Sequence, residues 1–158
     1  MKIQKTNAMR ILDQHSMDYT VHEYPHGKEA VDGLTVANLL NQDVNTVFKT
    51  LVTISNTKEY FVFMLPVDKE LNLKKCAKVS NMKSVEMIPV KDIMKVTGYV
   101  RGGCSPLAMK KQYKTFIHES ILDENTILFS AGKIGMQIEM NPIKLIELLD
   151  ITVDDLVK

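Results

Sequence analysis

Apolar positions fall into two rhythms along this chain, one of helical spacing and one of strand-like alternation, separated by polar stretches. Met9, Ile11 and Leu12 follow Thr6 and Asn7, either of which can cap, so a helix is predicted over residues 6–13. Residues 19–24 alternate as a strand that Pro25 ends, and residues 25–33 read as a polar connection. Val36, Leu39 and Leu40 then share one side of a short helix over 35–40. Runs 47–54 and 60–65 are rich in Val, Phe, Leu, Ile and Thr, which favour a pleated, partly buried surface. The polar segment 55–59 between them predicts a hairpin. Leu73, Cys76, Ala77 and Val79 have helical spacing, with lysines on the other face. A strand at 84–88 precedes a helix over 89–96, with Pro89 in its first turn and Gly98 at its end. Strands are predicted at 115–119, 126–130 and 134–140 and a helix at 142–149. Thr152 is expected to cap a last helical turn over Asp155. Many short strands with helices between them, and no regular βαβ rhythm, predict an α/β (α+β) fold. Its mixed, barrel-like β-sheet would be flanked by helices rather than doubly wound.

Length and composition narrow this further. A chain of 158 residues, 45% hydrophobic and 25% charged, can form one domain, 1–158, with a full core. No apolar stretch approaches the roughly 20 residues that cross a bilayer. The start, residues 1–7, is basic but has no apolar region behind it. No secretory leader is therefore expected, and a cytoplasmic location with Cys76 and Cys104 reduced follows. The net charge of +1 hides an asymmetry: residues 1–116 carry 17 Lys/Arg against 11 Asp/Glu, and residues 117–158 carry 3 against 8. That polarity fits an anionic partner contacted by one side of the molecule.

One charge interrupts the apolar run at 47–54. Lys49 must reach outward, pair with an acid or point into a polar cavity. Two glycine-rich stretches, 98–103 and 130–135, make a cavity worth seeking. Gly102 and Gly103 would let two successive amides approach a ligand and hold a developing oxyanion. Familiar catalytic patterns are missing. His15, His22, His26 and His118 form no metal-ligand motif, so no metal is expected. No serine sits in a GxSxG elbow, and Gly132-Lys133 has Ile127 where a phosphate-binding loop needs its first glycine.

Taken in order, several fragments resemble the YbaK/EbsC family, the editing-domain group that includes the insertion domain of bacterial prolyl-tRNA synthetases. They are His22-Glu23-Tyr24 with His26, Val47-Phe48-Lys49-Thr50-Leu51-Val52, Leu71-Asn72-Leu73-Lys74-Lys75, Thr97-Gly98-Tyr99 and Gly102-Gly103 with Ser105-Pro106-Leu107. Ser130 with Gly132-Lys133, then Gly135 and Ile138-Glu139, complete the series. The resemblance implies a deacylase of mischarged tRNA, notably cysteinyl-tRNA(Pro), with no metal or other cofactor. It implies an essential lysine at Lys49, with Tyr24, Thr50 and Ser130 in the pocket and the Gly102 amide facing the reacting carbonyl. Gly103 and Gly132 are candidates beside them. The mechanism it implies is substrate-assisted: the thiol of the misattached cysteine attacks its own ester. The partners it implies are the tRNA acceptor end and a prolyl-tRNA synthetase, with neither DNA nor membrane. Lys74, Lys75, Lys78, Lys110 and Lys111 are candidate phosphate contacts on a rim. One position departs from the cysteinyl-specific pattern, since Gln137 stands where those members have an aspartate. A deacylase for another small amino acid such as alanine, or a non-catalytic aminoacyl-tRNA or synthetase-binding module, therefore stays open. Glu139, on the same face of that strand, is the residue that could supply the negative charge Gln137 lacks.

Overall fold

The computed structural model describes residues 4–158; the first three residues of the start expected to lack a leader lie outside it. Helix α1 (Asn7–Gln14) begins where expected, with the Thr6 hydroxyl accepting from Met9 N–H at 3.3 Å. Strand β1 (Thr20–Glu23) follows, then α2 (Gly33–Leu39), whose cap is the Asp32 carboxylate, two residues earlier than the apolar pattern indicated. The hairpin is present as β2 (Phe48–Ser55) and β3 (Tyr60–Pro66). Helix α3 (Leu73–Val79) starts at Asn72, whose side chain accepts from two amides of the first turn. Strand β4 (Val85–Met87) leads through a 3₁₀ turn into α4 (Ile93–Thr97), which Gly98 ends at φ 86°. Strands β5 (Lys114–His118), β6 (Ile127–Ser130) and β7 (Met136–Met140), helix α5 (Pro142–Leu149) and strand β8 (Thr152–Asp154) complete the order.

Two sheets result, in the orders β4-β2-β3-β5-β8 and β1-β7-β6. The larger is mixed: β2 pairs antiparallel with β3 and β4, while β3–β5 and β5–β8 are parallel. The smaller is antiparallel throughout. A parallel bridge between Val47 and Leu128 joins them, which gives the barrel-like bend. Between the sheets lies the main core, with Phe48, Met64 and Ile117 meeting Phe129, Ile138 and Met140; α1 adds Met9 and Leu12, and α5 adds Leu145. On the outer face of the larger sheet, Phe61, Phe63, Leu65 and Phe116 are covered by Cys76 and Ala77 of α3.

The C-terminal segment corrects the sequence reading. Thr152 caps no helical turn; residues 152–154 form β8 against β5. Asp150 takes a left-handed conformation (φ 52°) that stops α5, and the β-branched Thr152 and Val153 then cover an otherwise open edge of β5. Beyond β8 the chain straps the molecule: Leu156 carbonyl accepts from Asn72 N–H at 2.8 Å, and Lys158 N–H donates to Glu70 carbonyl at 3.1 Å.

Candidate active site

A cleft opens where the two sheets part. β2 and β6 touch at Val47 and Leu128 and then diverge, while β4 joins β2 only from Thr53 onward. Between those points one edge of β2 is paired with no strand, and a cavity of about 1110 Å³ lies against β2. Its walls come from β2, the ends of β6 and β7, the loop carrying Val100 to Cys104, and the connection between β1 and α2. That connection is a lip resting on glycines. The space a side chain at Gly135 would need is filled by the His26 ring, and at Gly102 by Ala30, whose Cβ lies 2.5 Å from where a Cβ would stand. Both glycines have positive φ, 96° and 83°, so their conformation as well as their size is required.

Six of the expected site residues meet here: Tyr24, Lys49, Thr50, Gly102, Ser130 and Gln137 all line the cleft. Tyr24 is buried, its N–H bound to Gly135 carbonyl at 2.9 Å and its ring edge-on to His26. Ser130 and Gln137 are cross-strand partners in β6 and β7. Lys49 is half-buried; burial pushes its ammonium below the ordinary value, against the pull of Glu70 and Asp68. No ion pair holds Lys49 among the described residues, so its charge is available to a ligand. Two buried oxygens in the wall, Thr50 Oγ1 and Gln137 Oε1, have no hydrogen-bond partner. A buried polar atom left unpaired costs about 1–3 kcal/mol, and a ligand that supplied a donor would remove that cost.

Other candidates are placed elsewhere. Gly103 is buried in a tight turn with its N–H on Val100 carbonyl at 3.0 Å, whereas Gly102 is exposed and lines the cleft. The backbone of Lys133 packs on Gly103. Gly132 gives its N–H to Ser130 Oγ at 3.1 Å and packs against the Tyr99 ring. Neither glycine lines the cavity, and neither do Lys74, Lys75, Lys78, Lys110 or Lys111. Lys75 is engaged inside the molecule, with Asp155 at 2.7 Å and Val157 carbonyl at 2.8 Å. The cations that do line the cleft besides Lys49 are Lys28 and Arg101. Arg101 precedes the glycine pair, and that adjacency was the one sequence signal for it; Lys28 sits in a connection without periodicity.

Glu139 shares a strand face with Gln137, as expected, but its carboxylate is occupied. It contacts His22 Nε2 at 2.7 Å and accepts from Thr126 Oγ1 at 2.8 Å. Those bonds, the Thr126 hydroxyl foremost, hold its carboxyl below the usual range. No histidine lines the cleft. Cys104 does, and burial pushes its thiol up, which disfavours the thiolate a nucleophile would need. The site therefore combines a free cation, an exposed amide and unpaired acceptors, without a nucleophile held beside a base. Among the described residues no three His, Cys, Asp or Glu side chains gather as a metal site would require.

Comparison with known proteins identifies the family and the fold. The family model described as the aminoacyl-tRNA editing domain matches residues 28–148. The chain is 45% identical over 139 residues, covering 88% of its length and 85% of the relative's, to the Enterococcus faecalis protein named "Putative Cys-tRNA(Pro)/Cys-tRNA(Cys) deacylase EbsC". Its fold is shared with the crystal structure of hypothetical protein APE2540, at a TM-score of 0.87 and 18% identity, over 97% of this chain and 100% of that one. A structure described as "a putative trans-editing enzyme for prolyl tRNA synthetase" superposes with a TM-score of 0.83 at 18% identity, over 99% of each chain.

Proposed function

Because the chain belongs to the aminoacyl-tRNA editing domain family, in its YbaK/EbsC-like trans-editing group, we propose that it cleaves the ester of mischarged tRNA, with cysteinyl-tRNA(Pro) as the preferred substrate. The observation that carries this reading is the composition of the cleft: Lys49 and Gly102 line it, and among the described residues no base–nucleophile pair does. An enzyme so built can take its nucleophile from a substrate that carries one. The sulfur of the misattached cysteine attacks its own ester carbonyl; a C–S bond forms, the C–O bond to the ribose breaks, and the thiol proton ends on the ribose oxygen. The products are a thiolactone and uncharged tRNA, and no metal takes part. Gly102 N–H meets the oxygen that gains charge, where one such donor is worth about 2.7–4 kcal/mol in a known hydrolase. Lys49 orients the anionic tRNA end, and Tyr24 and Ser130 hold the terminal ribose or the amino acid. A prolyl-tRNA synthetase is the partner that fits this role.

Gln137 supports a second reading, a deacylase for another small amino acid such as alanine. Its amide cannot bind a substrate ammonium as strongly as a carboxylate would, and its acceptor oxygen is unpaired. A deacylation panel of cysteinyl-, alanyl-, seryl- and prolyl-tRNA decides between them. Cysteinyl-tRNA(Pro) should be cleared fastest, releasing thiolactone, and Lys49→Ala should lose about a hundredfold or more in kcat/KM. Gln137→Asp should favour the cysteinyl ester further. Preference for the alanyl ester would establish the second reading, and an unaffected Lys49→Ala would overturn both.

A further inference from the structure

Resting on that reading, we infer that the open edge of β2 reads the terminal nucleobase of the substrate through the main chain of Thr50. The register of β2 against β3 runs without interruption from Phe48↔Pro66 to Ile54↔Tyr60, so backbone groups alternate strictly between the two edges of the strand. Val47 carbonyl accepts from Val67 N–H, and Ser55 N–H donates to Glu59 carbonyl, so odd-numbered residues face β3. Val52 carbonyl instead accepts from Ile88 N–H, beside β4. Thr50, two residues before Val52, therefore turns its N–H and its C=O toward the β4 edge. At Thr50 that edge is paired with no strand: the bridge to β6 is confined to Val47 and Leu128, and β4 first pairs at Thr53. Thr50 lines the cleft, and on this edge its donor and acceptor stand side by side.

A residue on a free strand edge offers one donor beside one acceptor, as it would to the next strand. The complementary ligand presents an acceptor beside a donor in one plane. Adenine does so with N1 and its 6-amino group, and cytosine with N3 and its 4-amino group. Guanine and hypoxanthine present the reverse, a ring N–H beside a carbonyl. The surroundings suit a flat ring. Met87, Val90 and Val100 are apolar and 43%, 56% and 47% exposed, and they line the cleft with buried Val52 and Ile88. Ser130, Gln137 and Gly102 also line the cleft. On this assignment the base takes the apolar residues and the Thr50 edge, and the ester is left to Lys49 and the polar residues.

The test compares four hydrolysis-inert ligands, the 3′-cysteinylamido-3′-deoxy derivatives of adenosine, cytidine, inosine and guanosine, binding to the full chain by calorimetry. The matching esters are assayed for deacylation. Adenosine and cytidine derivatives should bind within about threefold of one another. Inosine and guanosine derivatives should bind about tenfold or more weakly, since each reverses both hydrogen bonds. Thr50→Val removes the hydroxyl and keeps the backbone, so the ranking should persist in it. Equal affinity for the adenosine and inosine derivatives, or no binding of any of the four, overturns the inference. The intended ranking without turnover of any ester would uphold the base-reading edge and overturn the deacylase assignment instead.

Discussion

At Gly102 two demands coincide that no other residue type meets. Its φ of 83° lies in the left-handed region, and a Cβ there would stand 2.5 Å from that of Ala30 and 3.1 Å from its Cα. Ala30 belongs to the lip over the cleft, so a side chain at 102 would lift the lip from the amide meant to face the substrate. Gly102→Ala should therefore lower kcat for deacylation about tenfold or more and cost on the order of 1 kcal/mol in stability. Gly27→Ala, where nothing lies within 4 Å of the added carbon, should leave both nearly unchanged. Steady-state kinetics with urea unfolding of the two variants measures the difference. The same position shows what a sequence discloses at this scale. Lys49 was legible because a charge interrupts an apolar strand, and charge is costly to bury. The glycines were legible as places needing space, but not as to what fills it: the His26 ring at Gly135, Ala30 at Gly102, the Lys133 backbone at Gly103.

Among the elements, the C-terminal strap is the part whose stability should respond to pH. Leu156 N–H donates to His118 Nδ1 at 3.2 Å, which requires that nitrogen to be unprotonated, and His118 is buried at 9% exposure. Burial pushes its pKa below the ordinary 6.5, although Asp155 and Glu119 pull the other way. A group whose folded pKa is depressed stabilises fully above its unfolded value, and that contribution fades as pH falls through 6.5 toward the folded pKa. Thermal midpoints should thus decline as pH falls below about 6.5, before the depressed carboxylates of Glu139 and Asp155 are protonated. His118→Gln should flatten the upper part of that decline. A wild-type midpoint constant from pH 7 to 5 would refute the role given to His118. This strap was the element read wrongly from sequence. Thr152-Val153-Asp154 is too short for periodicity to speak, and its state is set by the edge of β5, more than thirty residues earlier. The longer runs, β2, β3 and α5, carried enough period to be placed almost to the residue.

For the whole molecule, the decisive feature is a single bridge, Val47 to Leu128, from which two sheets diverge and leave a cleft at the fork. Short strands with helices between them announced a bent, mixed α/β architecture. The fork itself was illegible, because one parallel contact between residues 81 positions apart leaves no local trace. Charge distribution misled for a related reason. The basic first part and acidic last part of the chain are not separate faces: Lys75 binds Asp155, and Lys158 binds Glu70, across the strap. The cations around the cleft are Lys28, Lys49 and Arg101, and the proposed function brings the tRNA end to them. Each phosphate contact releases condensed counterions and contributes about 0.7 to the slope of log K against log salt for a single strand. Affinity for uncharged tRNA should therefore fall with salt, and Lys28→Ala and Arg101→Ala should each reduce the slope by about that amount. Lys74→Ala and Lys78→Ala, on a helix that does not line the cleft, should reduce it far less. Lys75→Ala should instead lower the unfolding midpoint by freeing Asp155 and the Val157 carbonyl. Binding isotherms from 50 to 200 mM salt decide it: a slope that responds to the α3 lysines and ignores Arg101 would move the tRNA path away from the fork.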